Sequence, residues 1–187
     1  MRLMATGAAR VAAWNPLGMP ARELRLEHSL PTGQSFRWRQ TSADPVEFTG
    51  VVGRRLVQLR QSPDDVLYRV LARGSGEKSA NDAVALEDYF QKPVVLSKLS
   101  ALWCSRDERY SQIHPYVMGA RMLRQDPVEC LFSFICSSNN HISRIQGMVD
   151  RLASRYGDPL HLPDDPDAQF FAFPTLEQLS AASEEAL

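Results

Sequence analysis

An α+β fold is what this 187-residue sequence predicts: an antiparallel, sheet-rich N-terminal half followed by helices. Three observations carry that expectation. Between Arg22 and Leu71 apolar residues recur with period two, the mark of strands with one buried face. After Ala83 they recur at helical spacing instead. Between the two regimes lies a polar stretch, Gly74 to Asn81, that suits neither. With 44% hydrophobic and 23% charged residues, the composition is that of an ordinary globular chain, long enough for one sizeable core or two small ones. No apolar run approaches the ~18–20 residues of a membrane helix, so no membrane partner is expected.

Residues 1–21 read as an N-terminal extension. The first 22 residues hold no acid, and Arg2, Arg10 and Arg22 punctuate Ala-rich sequence, as in an organelle-targeting segment. The same stretch also reads as the first strand and loop of a domain, since Trp14 and Pro16 are residues worth burying; Met19 is an alternative start. A sheet domain is expected over 22–121. In it Leu24, Leu26, His28 and Leu30 alternate with polar residues, and Phe36 and Trp38 continue the alternation. Phe48 to Val52, a Gly53-Arg54 turn and Leu56 to Leu59 form a hairpin pattern, and Val66, Tyr68 and Val70 mark a further strand. Ala83 to Phe90 is a short helix stopped by Lys92-Pro93. Leu96, Leu99, Leu102 and Trp103 mark another, and Arg109 to Met118 a third, interrupted at Pro115.

Residues 122–187 read as an incomplete helical domain. Asp126 is a natural N-cap, Pro127 fits the first helical position, and Glu129 stands at capping-box spacing. Val128, Leu131, Phe132, Ile135 and Cys136 then predict a buried helix with one core face. The run stops at Ser137, Ser138, Asn139 and Asn140, side chains that favour turns and caps. From His141 a second helix follows through Ile142, Ile145, Met148, Val149, Leu152, Ala153 and Tyr156, with Gly157 at its C-terminal cap and Pro159 beyond. Leu160 to Phe173 is a Pro/Asp-rich connection, and Thr175 opens another helix with Gln178 at capping-box spacing.

The net charge of −1 does not advertise a nucleic-acid binder. Only three of the 21 basic residues are lysines, however, and guanidinium suits phosphate and base recognition; GC-rich coding would leave the same imbalance. Three cysteines, Cys104, Cys130 and Cys136, lack CxxC spacing, which points to reduced thiols in an intracellular compartment. With four scattered histidines they build no zinc site, and neither metal nor cofactor is expected. Two loops could carry chemistry. Asparagine and arginine on a rigid inter-helix turn can enter a duplex and hydrogen-bond base edges that have lost their partners. A tight connection with satisfied caps would look the same. The loop Pro31-Thr32-Gly33-Gln34-Ser35-Phe36 is a Pro/Gly turn between strands, or a place where glycine lets a backbone group approach a ligand closely.

Two long motifs carry a family resemblance. MLRQDPVECLFSFICSSNNHISRI (122–145) and LPTGQSFRWR (30–39) resemble the eukaryotic-type 8-oxoguanine DNA glycosylases. Glu23-Leu24-Arg25-Leu26, Asp88-Tyr89-Phe90 and Gly147-Met148-Val149 extend the likeness from about residue 22 to the end. The resemblance implies a twisted, TBP-like antiparallel sheet with flanking helices, then the start of an all-α helix-hairpin-helix glycosylase domain. It implies base-excision repair by a bifunctional DNA glycosylase and abasic-site lyase, monomeric, acting on double-stranded DNA with 8-oxoguanine opposite cytosine. The compartment implied is the nucleus, with mitochondrion or plastid as further addresses. By the same resemblance the Gly33 carbonyl accepts a hydrogen bond from the N7–H of the oxidised guanine, and Phe36 and Phe134 help shape the neighbouring pocket, though each could be simple core. Asn139 resembles the asparagine that fills the gap left by the extruded nucleotide, Arg144 an arginine donating to the estranged cytosine, and Asn140 a residue beside the active site. His141 and Ser143 are assigned surface or capping roles.

The chemistry needs an amine to attack the anomeric carbon and form a Schiff base, and a carboxylate to stabilise the positive charge. In the family both come later, with the helix-hairpin-helix, so no catalytic residue is expected within these 187 residues. Lys78, Lys92 and Lys98 are expected to face solvent, and Asp164, Asp165 and Asp167 to be solvated turn residues. The chain then reads as the N-terminal part of a glycosylase, inactive alone; the alternative is a short product that binds DNA weakly or not at all. Leu131, Ile135, Ile145 and Val149 are expected to lack partners, making the chain poorly soluble.

Overall fold

The computed structural model of the chain describes residues 12–162 and 169–183. Five strands, β1 (Asn15–Pro16), β2 (Trp38–Ala43), β3 (Val46–Val52), β4 (Arg55–Gln61) and β5 (Val66–Arg73), form one antiparallel sheet in the order β1-β5-β4-β3-β2. The β3–β4 hairpin closes on Gly53-Arg54, as its sequence predicts, with Val52 opposite Arg55. Gly53 has φ +57°, the left-handed conformation such two-residue turns require. Along β5 the alternation is kept: Val66, Tyr68, Val70 and Ala72 are buried, and the residues between them are not.

The main core lies on one face of the sheet. Phe48, Val57, Leu59, Val66 and Val70 pack against Leu86, Tyr89 and Phe90, from or just beyond the helix Asp82–Tyr89. Each fully buried Leu or Phe contributes about 1.5–3 kcal/mol. Trp38 Nε1 donates to Tyr89 Oη at 2.9 Å, which satisfies the indole inside the core. Asp82, 5% exposed, receives the guanidinium groups of both Arg55 and Arg73 and clamps that helix to β4 and β5.

Two expectations for the first thirty residues need correcting. Residues 24–30 are not a strand: Leu26–Ser29 is one helical turn. Leu26 and Leu30 are four apart, so a single turn points both inward, and both are fully buried. The sheet domain also starts before residue 22. Asn15 pairs with Tyr68, while Leu17 and Met19 are 2% and 1% exposed in the core. Trp14 is half-buried, with the guanidinium carbons of Arg60 and Arg69 4.3 and 4.6 Å from its ring centre, and Pro16 is exposed. The first 11 residues of the proposed targeting segment lie outside the described residues.

With Leu26–Ser29 as α1 and Asp82–Tyr89 as α2, the remaining helices are α3 (Leu96–Arg106), α4 (Glu108–Val117), α5 (Pro127–Ser137), α6 (Ile142–Tyr156) and α7 (Leu176–Ser180). Pro115 does not interrupt α4; it sits in the last turn. Thr175 and Gln178 make the capping box reciprocally. Gly157 ends α6 with φ −86°, so no left-handed turn selects it there. A Cβ at that position would stand 2.0 Å from the Ala172 carbonyl oxygen, and this close approach is what demands glycine. Asp164, Asp165 and Asp167 lie outside the described residues.

The apolar stripe of α5 behaves differently from its prediction. Of the predicted face only Cys136 is buried; the helix buries Glu129 and Ser133 beside it, a set spaced i, i+4, i+7. Leu131, Phe134 and Ile135 are 55%, 74% and 57% exposed. The expected lack of partners therefore holds for Leu131 and Ile135. It fails for Ile145 and Val149, which form a second core with Phe36 and Cys136.

Candidate nucleic-acid interface

The corner between α5 and α6 is built from its caps outward. Asp126 Oδ1 accepts from the amides of Val128 (2.9 Å) and Glu129 (3.0 Å), which satisfies two of the donors a helix start leaves open. The reciprocal half of the capping box is not made. Glu129 turns inward beneath the sheet, where burial pushes its carboxyl up to about 7 while the Arg37 guanidinium pulls the other way. Arg37 is itself buried, with Nη2 donating to the Phe171 carbonyl and Nη1 3.8 Å from Asp150, an ion-pair separation too long for a hydrogen bond.

In the turn the two asparagines part company. Asn140 faces in: its Nδ2 donates to the Cys136 carbonyl (3.1 Å) and to Met148 Sδ (3.3 Å), and its Oδ1 accepts from the His141 amide (3.2 Å). It locks the corner. Asn139 faces out, exposed, with φ +51°. Asparagine is among the few non-glycine residues that tolerate this conformation. His141 caps α6 through Nδ1, which accepts from the Arg144 amide (3.4 Å) and lies 2.9 Å from Ser143 Oγ, so both residues take the capping roles expected of them. The Arg144 side chain is exposed in the first turn of α6. The helix dipole disfavours a cation there by a few tenths of a kcal/mol or more. Neither the Asn139 amide nor the Arg144 guanidinium has a partner among the described residues.

The second loop, Pro31–Gln34, presents Gly33 at φ +79° with nothing within 4 Å of where a Cβ would stand. Phe36, next to it, is core beneath the corner, whereas Phe134 stands 74% exposed on the outer side of α5. The loop and the corner share one support, the segment 119–125. Ser29 Oγ donates to the Gly119 carbonyl (3.2 Å) and accepts from the Arg121 amide (3.1 Å). Gln34 Nε2 donates to the Arg121 carbonyl, and Gln34 Oε1 accepts from the Leu123 amide, both at 3.0 Å. Sequence reasoning passed over Gln34, Gln125 and Arg121, because no local pattern announces a side chain that bonds main chain some ninety residues away. Lys78 and Lys98 are exposed as expected; Lys92 is not simply solvent-facing, because Nζ pairs with Glu87 Oε1 at 2.7 Å. Among the described residues no group of three or more His, Cys, Asp and Glu could hold a metal ion, and no helix is long and apolar enough to cross a membrane.

Residues 16–131 match the model of the 8-oxoguanine DNA glycosylase N-terminal domain. The chain belongs to this family. Among curated relatives it is 42% identical over 173 residues to the N-glycosylase/DNA lyase OGG1 of Arabidopsis thaliana, covering 92% of this chain and 46% of that protein. It is 34% identical over 170 residues to the N-glycosylase/DNA lyase of Saccharomyces cerevisiae, covering 88% of this chain and 44% of that one. The chain thus spans about half the length of the curated relatives it matches. Among solved structures, MBOgg1 in complex with a low-affinity DNA ligand superposes with a TM-score of 0.76 at 26% identity, over 90% of this chain and 53% of that one. The α+β architecture is therefore that of the 8-oxoguanine glycosylases. The match to the N-terminal domain ends within α5, so the likeness at the corner itself comes from the relatives.

Proposed function

We propose that this chain supplies the lesion-reading and orphan-base-reading half of a base-excision-repair enzyme. That enzyme removes 8-oxoguanine opposite cytosine from double-stranded DNA and cleaves the resulting abasic site. The observation that carries the reading is the corner: Asn139 and Arg144 stand exposed and unpartnered beside Ser137, Asn140 and His141, whose side chains hold the turn. Polar groups kept free at a rigid point are available to a ligand without first breaking internal bonds.

Extruding a nucleotide costs a few kcal/mol of stacking and pairing, and leaves the opposite cytosine without partners. Cytosine then offers an amino donor and two acceptors. An Asn amide entering the gap can both give and accept, and an Arg fork can only give, so Asn139 and Arg144 together match the orphaned edge. On the lesion side, 8-oxoguanine carries a hydrogen on N7 where guanine has a bare acceptor. A carbonyl at Gly33 attracts the first and repels the second, so one group discriminates in both directions. Phe36 packs beneath the corner and Asn140 fixes the turn, and in this reading the exposed Phe134 is free to flank an extruded base. In this reading the sheet domain runs from about Asn15 to Arg121 and the helical part follows. The amine nucleophile and the carboxylate belong to the remainder of the enzyme, no cofactor takes part, and the site of action is the nucleus or a DNA-containing organelle. Alone, the 187 residues are inactive in excision.

The test is to express the longest reading frame that carries these residues and offer it duplexes with 8-oxoguanine opposite cytosine. Strand cleavage, with a borohydride-trapped covalent adduct, is expected; intact lesion strands under saturating enzyme would sink the proposal.

A further inference from the structure

We propose that Gln34 and Gln125 are specificity-determining positioning residues that aim the Gly33 carbonyl. The inference rests on the function proposed above and concerns how selectivity is held, not which base is read.

Gly33 has a left-handed backbone, and nothing lies within 4 Å of where a Cβ would stand, so no packing on that side steadies it. The restraint comes from the next residue. Gln34 is tied by its side chain to the Arg121 carbonyl (3.0 Å), the Leu123 amide (3.0 Å) and Thr32 Oγ1 (3.2 Å). Its own carbonyl accepts from Gln125 Nε2. On the other flank, Thr32 Oγ1 donates to the Ser29 carbonyl at 3.0 Å. The peptide plane carrying the Gly33 carbonyl thus ends on the anchored Gln34, and Gly33 itself is bracketed by Thr32 and Gln34.

The anchor is itself rigid. Arg121 is 5% exposed, and its guanidinium gives five hydrogen bonds, to the carbonyls of Glu23, Phe90, Gln91 and Val94 and to the Glu23 carboxylate. Gln125 directly precedes Asp126, the cap of α5, whose far end carries the Asn139 turn. One segment therefore registers the lesion-reading loop against the orphan-reading corner.

Aim matters more than presence here. A carbonyl free to swing aside weakens its bond to the lesion and also relieves its clash with guanine, so selectivity is lost from both sides.

The experiment uses the longest reading frame carrying this chain, with Gln34→Glu and Gln125→Leu. Gln34→Glu keeps the acceptor for Leu123 but sets oxygen against oxygen at Arg121; Gln125→Leu removes one bond only. Turnover of 8-oxoguanine opposite cytosine, of guanine opposite cytosine and of a preformed abasic site opposite cytosine is measured, with melting temperature alongside. The lesion-to-guanine ratio, and the lesion-to-abasic ratio, are each expected to fall about tenfold, the weight of one well-made hydrogen bond. If the unaltered protein excises the lesion and both ratios stay within twofold in the folded variants, or all substrates decline together with melting temperature, the inference is overturned while the proposed function stands. If the unaltered protein excises nothing, both are overturned. Should Gln34→Glu not fold, Gln125→Leu decides.

Discussion

The Glu129 carboxyl and the Arg37 guanidinium are buried on the two sides of the junction between α5 and the sheet, 6% and 8% exposed. Burial depresses the Arg37 value and raises that of Glu129, and each opposes the shift of the other. Burial wins at Glu129, whose carboxyl rises from 4.5 to about 7. Stability from the protonated form is therefore fully present below about pH 4.5 and is lost as pH rises through 7. The shift corresponds to about 3 kcal/mol. Glu129→Gln should stabilise the chain at pH 8 by about 1–3 kcal/mol and flatten its stability between pH 5 and 8. Denaturant unfolding at the two pH values checks this, and parallel profiles for both proteins would refute it.

Asn139 permits an unusually clean dissection. Because its φ is +51°, Asn139→Ala loses the side chain and adds about 1 kcal/mol of backbone strain, whereas Asn139→Gly loses the side chain alone. In the full reading frame both should slow excision opposite cytosine roughly tenfold. Arg144→Ala should do the same without loss of stability, since its guanidinium has no partner among the described residues and stands at the unfavourable end of the α6 dipole. If Asn139→Gly is fully active, the amide has no role at the orphaned base.

Gly33→Ala meets no steric obstacle, as nothing lies within 4 Å of the added carbon, yet it is strained by φ +79°. Excision of 8-oxoguanine should fall by about tenfold or more, and cleavage of a preformed abasic site should fall less. Equal loss on both substrates would mean that Gly33 matters to folding alone.

Leu131 and Ile135 lie more than half exposed on the outer face of α5, with Phe134 between them. The 187-residue chain should self-associate through this patch, and Leu131→Ser with Ile135→Ser should return it to a monomer at no cost in melting temperature. Sedimentation of the two proteins side by side is the check; a monomeric unaltered chain would contradict it.

Much of this was legible in residue order, for local reasons. Gly53-Arg54 sits between two alternating runs, Asp126-Pro127 and Thr175 to Gln178 carry their own capping chemistry, and His141 opens α6; each needs only neighbours within four positions. What failed depends on distant partners. Leu26 to Leu30 alternates in a way that also satisfies one helical turn, and the covering elements decided between them. The stripe on α5 includes the buried Cys136, but does not say that Glu129 and Ser133 meet the rest of the fold while Leu131 and Ile135 stay exposed. At the α5–α6 corner the SSNN turn was visible, whereas the outward Asn139 and the inward Asn140 differ only through φ and a carbonyl one turn back. Gln34 was invisible for a similar reason, since its partners lie near residue 121.

The placement of the tryptophans has an optical consequence. Trp14 stacks against two guanidinium groups, Trp38 is sealed in the sheet core, and Trp103 is 41% exposed on α3. All three lie on the sheet or α3 and none on α5 or α6, so tryptophan fluorescence reports mainly on the sheet and α3. Emission and far-ultraviolet dichroism that melt together would show the corner and the sheet unfolding as one cooperative unit. Dichroism that changes first would show that the α5–α6 corner comes loose while the sheet stays folded.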